Sequence, residues 1–239
     1  MSDRIKGPSA VAYARVTGIL YLVIIVFGLF SELVVRAGMI ERGDAAATAE
    51  NILSSEFLFR VGFASDLLIF LCDVAVAVLL YVLLRPAGRT WSLVSAAFRL
   101  TGTAIYGVNL LNYLAALLIL GGSGYLGSFD AGQSSGLAMM FLDIHRHGYD
   151  LGLVFFGLHC LFLGYLLIRA DYFPGILGVL MVLAGAGYVI GSLTLFLFPD
   201  LSGSITFIYI APLVGELSLG LYLAIKGLRV DEFPAAALE

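Results

Sequence analysis

The chain sets ionisable residues inside runs that are otherwise apolar, and any chemistry it performs has to start from them. Asp66 and Asp73 fall in one such run, Arg99 in the next, His159 in a later one and Glu216 in the last. A charged side chain at the centre of a membrane helix costs about 2.5–3.5 kcal/mol on insertion scales, so it faces the bundle interior, pairs with a partner or meets water. Depth follows from a helical rise of about 1.5 Å per residue. Counted from the outer ends of the apolar runs, Asp73 and Arg99 lie roughly 18 Å deep, Glu216 roughly 17 Å and His159 about 15 Å. Four polar groups on four helices thus converge near the midplane. Asp66 precedes Asp73 by two helical turns and projects from the same face. Glu32, Asn109, Asn112, His145, Tyr149 and Asp150 form a second layer nearer the outer surface. Together the layers predict a polar crevice running from the outer side to the midplane.

Several chemistries fit these residue types. His159 with Asp73 and Glu216, or His145 with Asp66 and Glu32, supplies nitrogen and oxygen ligands suited to zinc, manganese or iron. No local metal motif such as H-E-x-x-H supports either set, so the metal and any other cofactor stay unknown. Two carboxylates in unlike surroundings also provide an acid and a base. The same pair serves a proton-coupled transporter, so this argument does not separate enzyme from transporter. In either case Asp73 and Glu216 act as acid, base or ligand, Arg99 as counter-ion or anion binder, and His159 as proton shuttle or ligand. A third reading makes the set a structural ion-pair network that fixes helix register. Two acids for one arginine leave a negative charge to balance, which favours a ligand or proton site. Cys72 and Cys160 adjoin Asp73 and His159, but neighbouring helical residues diverge by about 100°, so both cysteines read as packing residues.

The elements that position these residues follow from composition. Hydrophobic residues make up 61% and charged residues 13% of the 239, with a mean hydropathy of +1.02. Soluble domains average about 45–50% apolar and 25% charged residues. This balance excludes a disordered chain and a disulfide scaffold. The net charge of −4 gives no basic footprint for nucleic acid. The chain reads as an all-α integral membrane protein, a single six-helix bundle whose partner is the lipid bilayer. Its spans are placed near 12–35, 61–84, 91–120, 149–168, 173–198 and 205–225, each matching the roughly 20 residues that cross a bilayer.

Arg4, Lys6, Arg85, Arg89, Arg169, Lys226 and Arg229 fall on one side of these spans. Arg36, Arg42, Arg60 and Arg146 fall on the other, diluted by acids, which puts both termini in the cytoplasm of a plasma (inner) membrane protein. Asp44 caps an alanine-rich interfacial helix in the first outer loop. Gly121 to Gln133 reads as a flexible connection. The pairs Gly148/Gly152 and Gly187/Gly191 have the small-xxx-small spacing of close helix packing. The final residues, Ala235 to Glu239, read as a vector-derived junction.

The stretch Phe59-Arg60-Val61-Gly62-Phe63-Ala64-Ser65-Asp66-Leu67, then Cys72-Asp73-Val74, and Gly152-Leu153-Val154-Phe155-Phe156-Gly157-Leu158-His159-Cys160 resemble a bacterial family of six-span proteins. Gly43-Asp44-Ala45-Ala46-Ala47, His145-x-x-Gly148-Tyr149 and Gly215-Glu216-Leu217-Ser218 fit the same pattern, whereas His147 departs from it. The family is catalogued as domain of unknown function 4386. The resemblance implies a helical membrane fold and groups Asp66, Asp73, Arg99, His159 and Glu216 as a set, without supplying a reaction. The expected function is a membrane protein whose crevice binds, and in one version modifies, a small or lipid-like molecule. The alternatives are a proton-coupled solute transporter and a membrane scaffold. Oligomeric state is left open.

Overall fold

Large apolar side chains are widely exposed on this protein while a set of ionisable ones is buried, which is unlike a soluble domain. Phe57, Val108, Phe207 and Leu197 are among the exposed residues, while Asp66, Asp73, Arg99, His145, His159 and Glu216 are buried. The structure, a computed structural model, describes residues 7–122 and 129–234. All regular elements among the described residues are helical. Arg4, Lys6, much of the Gly121–Gln133 connection and the segment 235–239 lie outside the described residues.

Helix α1 (Gly7–Leu29) continues into a π-helix, Phe30–Arg36, and a short α2 (Ala37–Met39). Helix α3 (Ala45–Ser54) is capped as the sequence predicts: Asp44 Oδ1 accepts from the Ala47 backbone N–H at 2.9 Å. Helix α4 (Glu56–Leu120) is 65 residues long but breaks at Gly88, two residues after Pro86, where the sequence expects the connection between its second and third spans. Proline lacks the N–H and crowds the preceding turn, so the helix cannot pass through it unbroken. Side chains satisfy carbonyls near the break, with Ser92 donating to Tyr81 O and Tyr172 to Leu83 O, both at 3.0 Å. Burial raises the Tyr172 phenol above its ordinary pKa, keeping it a neutral donor.

Helix α5 (Ala131–Arg169) begins well before residue 149, where the sequence expects a span to start. The reason is a capping box. Asp130 Oδ1 accepts from the Gln133 N–H at 2.8 Å and Gln133 Oε1 accepts from the Asp130 N–H at 3.0 Å. The flexible connection expected over Gly121 to Gln133 therefore ends at Asp130, and Ala131 to Gln133 already belong to the helix. Helix α6 (Gly175–Leu197), α7 (Pro199–Ser202), a 3₁₀ turn (Thr206–Tyr209), α8 (Ile210–Ile225) and a last 3₁₀ turn (Val230–Glu232) complete the order. Among the described residues five helices are long and apolar enough to cross a membrane: Ser9–Met39, Glu56–Leu120, Ala131–Arg169, Gly175–Leu197 and Thr206–Ile225. Each arm of α4, taken alone, also exceeds the roughly 20 residues of one crossing.

The chain packs as two compact units. One takes the described parts of Met1–Val23, Cys72–Thr103 and Asp150–Glu239, the other Ile24–Leu71 and Ala104–Tyr149. In the first, α5 and α6 meet backbone to backbone through a reciprocal pair of glycines from each. A Cβ built on Gly164 would stand 2.6 Å from Gly178 O, and one on Gly178 would stand 2.5 Å from Gly164 O. Gly157 and Gly185 repeat the arrangement at 3.0 and 2.6 Å. Small residues of this kind let membrane helices approach closely. In the second unit Gly62 makes room for Val35 and the Tyr113 hydroxyl, which a Cβ would meet at 2.8 and 2.9 Å. Tyr113 stacks on Phe59 at 4.0 Å and donates to its carbonyl at 3.1 Å.

Gly164→Ala and Gly178→Ala each force two backbones apart, and overpacking of this type costs about 1–3 kcal/mol. Thermal unfolding in mild detergent is expected to drop for both variants. Gly175→Ala, with nothing within 4 Å of the added carbon, is expected to leave it unchanged.

Candidate functional site

Each unit is built around one arginine. In the first unit Arg99, fully buried on the second arm of α4, pairs through Nη2 with Asp73 Oδ1. Its Nη1 donates to the Tyr21 hydroxyl of α1 at 2.7 Å and meets His159 Nε2 of α5 at 2.9 Å. The rings of Tyr21 and Phe156 lie 4.8 and 4.9 Å from the guanidinium carbon, a cation–π contact on each. The other Asp73 oxygen accepts from Thr103, whose hydroxyl lies 2.9 Å from Arg99 O.

The tautomer of His159 follows from its partners. Arginine only donates, so Nε2 must accept, and Nδ1 therefore carries the proton. That proton points to Ser95 O at 3.0 Å, with the Ser95 hydroxyl 2.9 Å away. A neutral imidazole with both nitrogens committed fixes the orientation of the guanidinium.

Glu216 of α8 is buried in the same unit but stands outside this network. Its Oε1 accepts from the Tyr188 hydroxyl of α6, and it acts on Arg99, Tyr21 and Cys160 through space. Asp150 forms a further polar group with Ser192 at 3.2 Å and the Tyr209 hydroxyl at 3.4 Å. Cys72 and Cys160 are free and buried.

In the second unit Arg36 ends the π-helix and bridges two acids. Nε reaches Glu32 Oε2 and Nη1 reaches Asp66 Oδ2, each at 2.7 Å. Tyr149 lies 6.0 Å from its guanidinium carbon. Asn109, His145 and Asn112 form a neighbouring set. The Asn109 amide donates to His145 O at 2.7 Å, and Asn112 donates to Asn109 Oδ1 at 3.1 Å. Gly148 lies against the Asn109 side chain, so its small size keeps these two segments in contact.

The structure therefore brings Asp73, Arg99 and His159 into direct contact, joins Glu32 with Asp66, and groups Asn109, Asn112 and His145. Glu216 is near the first centre without bonding to Arg99. In both units a guanidinium sits between the residues weighed as metal ligands. Among the described residues no three His, Cys, Asp or Glu side chains gather as a metal set.

The whole of this geometry lies within a region matched by one family model. Residues 16–227 match the domain of unknown function DUF4386. The chain belongs to this family. A protein from the archaeon Archaeoglobus fulgidus, named only as uncharacterized, is 31% identical over 170 residues, covering 69% of this chain and 83% of that protein. No solved structure matches.

Within this DUF4386 chain, sequence reasoning missed Tyr21, Ser95, Thr103, Tyr188 and Arg36. Tyr21, Ser95, Thr103 and Tyr188 are uncharged and sit in apolar runs where tyrosine, serine and threonine are ordinary. Arg36 follows the first apolar run, so by sequence it reads as a loop charge. A usable signal existed for Thr103, which stands one turn after Arg99. Arg99→Met leaves Asp73 uncompensated and is expected to cost about 3–5 kcal/mol, whereas Asp73→Leu combined with Arg99→Met is expected to recover most of the loss. Unfolding titrations in mixed micelles check this. Equal losses in the single and double variants would contradict it.

Proposed function

We propose that this DUF4386 chain is a six-span membrane protein with both termini in the cytoplasm, and that its Arg99 centre binds a small or lipid-like molecule within the plasma membrane. The break of α4 at Gly88 supports the span count, and the basic residues of the short connections support the orientation.

One observation carries the functional reading. Asp73 and Arg99 already form a neutral pair, yet a second carboxylate, Glu216, is buried in the same unit against a tyrosine hydroxyl instead of a cation. A network serving helix register alone has no use for it, because an isolated buried carboxylate is costly. An intramembrane acid of this kind marks a binding or proton-exchange position by default. In this reading Glu216 with Tyr188 gives and takes a proton at the ligand. Asp73 and Arg99 present the polar wall, and His159 holds the guanidinium in place.

Native mass spectrometry of the gently purified protein provides the test. A small-molecule adduct is expected on the wild type and is expected to fall at least tenfold in occupancy in the Asp73→Asn, Glu216→Gln double variant. A bare polypeptide mass in both, or an adduct retained in both, would sink the reading.

A further inference from the structure

The guanidinium of Arg99 is not fully used. Its Nε is buried and has no hydrogen-bond partner. In the planar fork of arginine, Nε–H and one Nη2–H run parallel along one edge, the edge that a carboxylate commonly grips with both oxygens. Here Asp73 takes only the Nη2 half. Its second oxygen accepts from the Thr103 hydroxyl, whose single proton is shared with Arg99 O one helical turn back. Thr103 thus competes with Nε for the second Asp73 oxygen, and the Nε–H is left without a partner beside a carboxylate.

The chemistry of the open position is specific. A group placed there must accept from Nε–H. It also sits next to Asp73 Oδ1, which only accepts, so a second pure acceptor is repelled unless it can donate as well. A hydroxyl does both. A carboxylate or phosphate would add charge to a centre that already holds Asp73 and Glu216 against one arginine, and a cation would face an N–H. The rings of Tyr21 and Phe156 also crowd the guanidinium, at 4.8 and 4.9 Å from its carbon.

We propose that the ligand is a neutral, hydroxyl-bearing amphiphile, a lipid-like alcohol whose oxygen bridges Arg99 Nε and Asp73, with Thr103 as the positioning residue that holds the place open. The inference rests on the reading of the Arg99 centre as a binding site and names the class of molecule it takes.

Purified protein in detergent is titrated with oleyl alcohol, oleyl methyl ether and oleate, with occupancy read by native mass spectrometry. The alcohol is expected to bind at least tenfold more tightly than the ether, which accepts but does not donate, and than oleate, which is charged. Thr103→Val, which frees Asp73 to close on Nε, is expected to lose at least tenfold in alcohol affinity, and Thr103→Ser to keep it. Equal binding of alcohol and ether, preference for oleate, or full binding by a folded Thr103→Val variant would each overturn the proposal. If the purified protein retains an adduct lacking a hydroxyl, the ligand class fails while the binding site stands. If no adduct is retained and no probe binds, both fail, and a water molecule is the occupant of the open N–H.

Discussion

A permanently charged guanidinium inside an apolar solvent is the constraint that orders the first unit of this protein. Taking such an ion out of water costs several kcal/mol even after relaxation, and only well-placed partners offset it. Arg99 recruits them from three separate stretches of chain. Tyr21 comes from α1, Asp73 from the other arm of α4, and His159 and Phe156 from α5. Each contact fixes a helix in rotation as well as in height, because a side chain one position away would point about 100° elsewhere. The Ser95 carbonyl extends the control outward by setting which imidazole nitrogen accepts. The sequence around Arg99 thus supplies its own support, with Ser95, Arg99 and Thr103 spaced four residues apart on one helical face.

The second unit repeats the principle with different parts. Arg36 answers Asp66 as Arg99 answers Asp73, but Glu32 joins it from one turn away and is 61% exposed in its side chain. Arg36 is therefore a less buried variant of Arg99, held by an aspartate and an exposed glutamate in place of an aspartate, a tyrosine and a histidine. Close packing around both comes from glycine. The α5–α6 contact relies on four glycines set seven residues apart on each helix, a spacing that repeats nearly every two turns.

Much of this was legible in advance, for physical reasons that also explain the gaps. Charged residues in apolar runs are conspicuous, so Asp73, Arg99, His159 and Glu216 could be picked out and their common depth estimated from helical rise. The Asp44 cap was legible because its signal is local. The start of α5 was misread although Asp130 and Gln133 carry an equally local signal, since the glycine and serine nearby dominated the reading. Pairing was the hardest part. Seven residues separate Asp66 from Asp73, and nothing in the spacing says that each answers a different arginine. The close-packing glycines Gly178 and Gly185 are legible on their own helix, but nothing in the sequence names Gly157 and Gly164 as the partners they meet on α5.

The π-helix from Phe30 to Arg36 closes its turns with one residue more than an α-helix would, as the Ala37 N–H bond to Glu32 O shows. That surplus residue sets the azimuth of everything after it. Arg36 meets Asp66 because the widened turns have rotated it there, and an α-helical path of the same length would aim it roughly a quarter-turn or more away. The segment therefore behaves as a counted spacer: its length in residues matters more than the identity of most of them. Over evolutionary time, substitutions at Leu33 or Val34, both exposed, are free to accumulate. A single insertion or deletion there is not, because it would unhook Arg36 from Asp66 in one step.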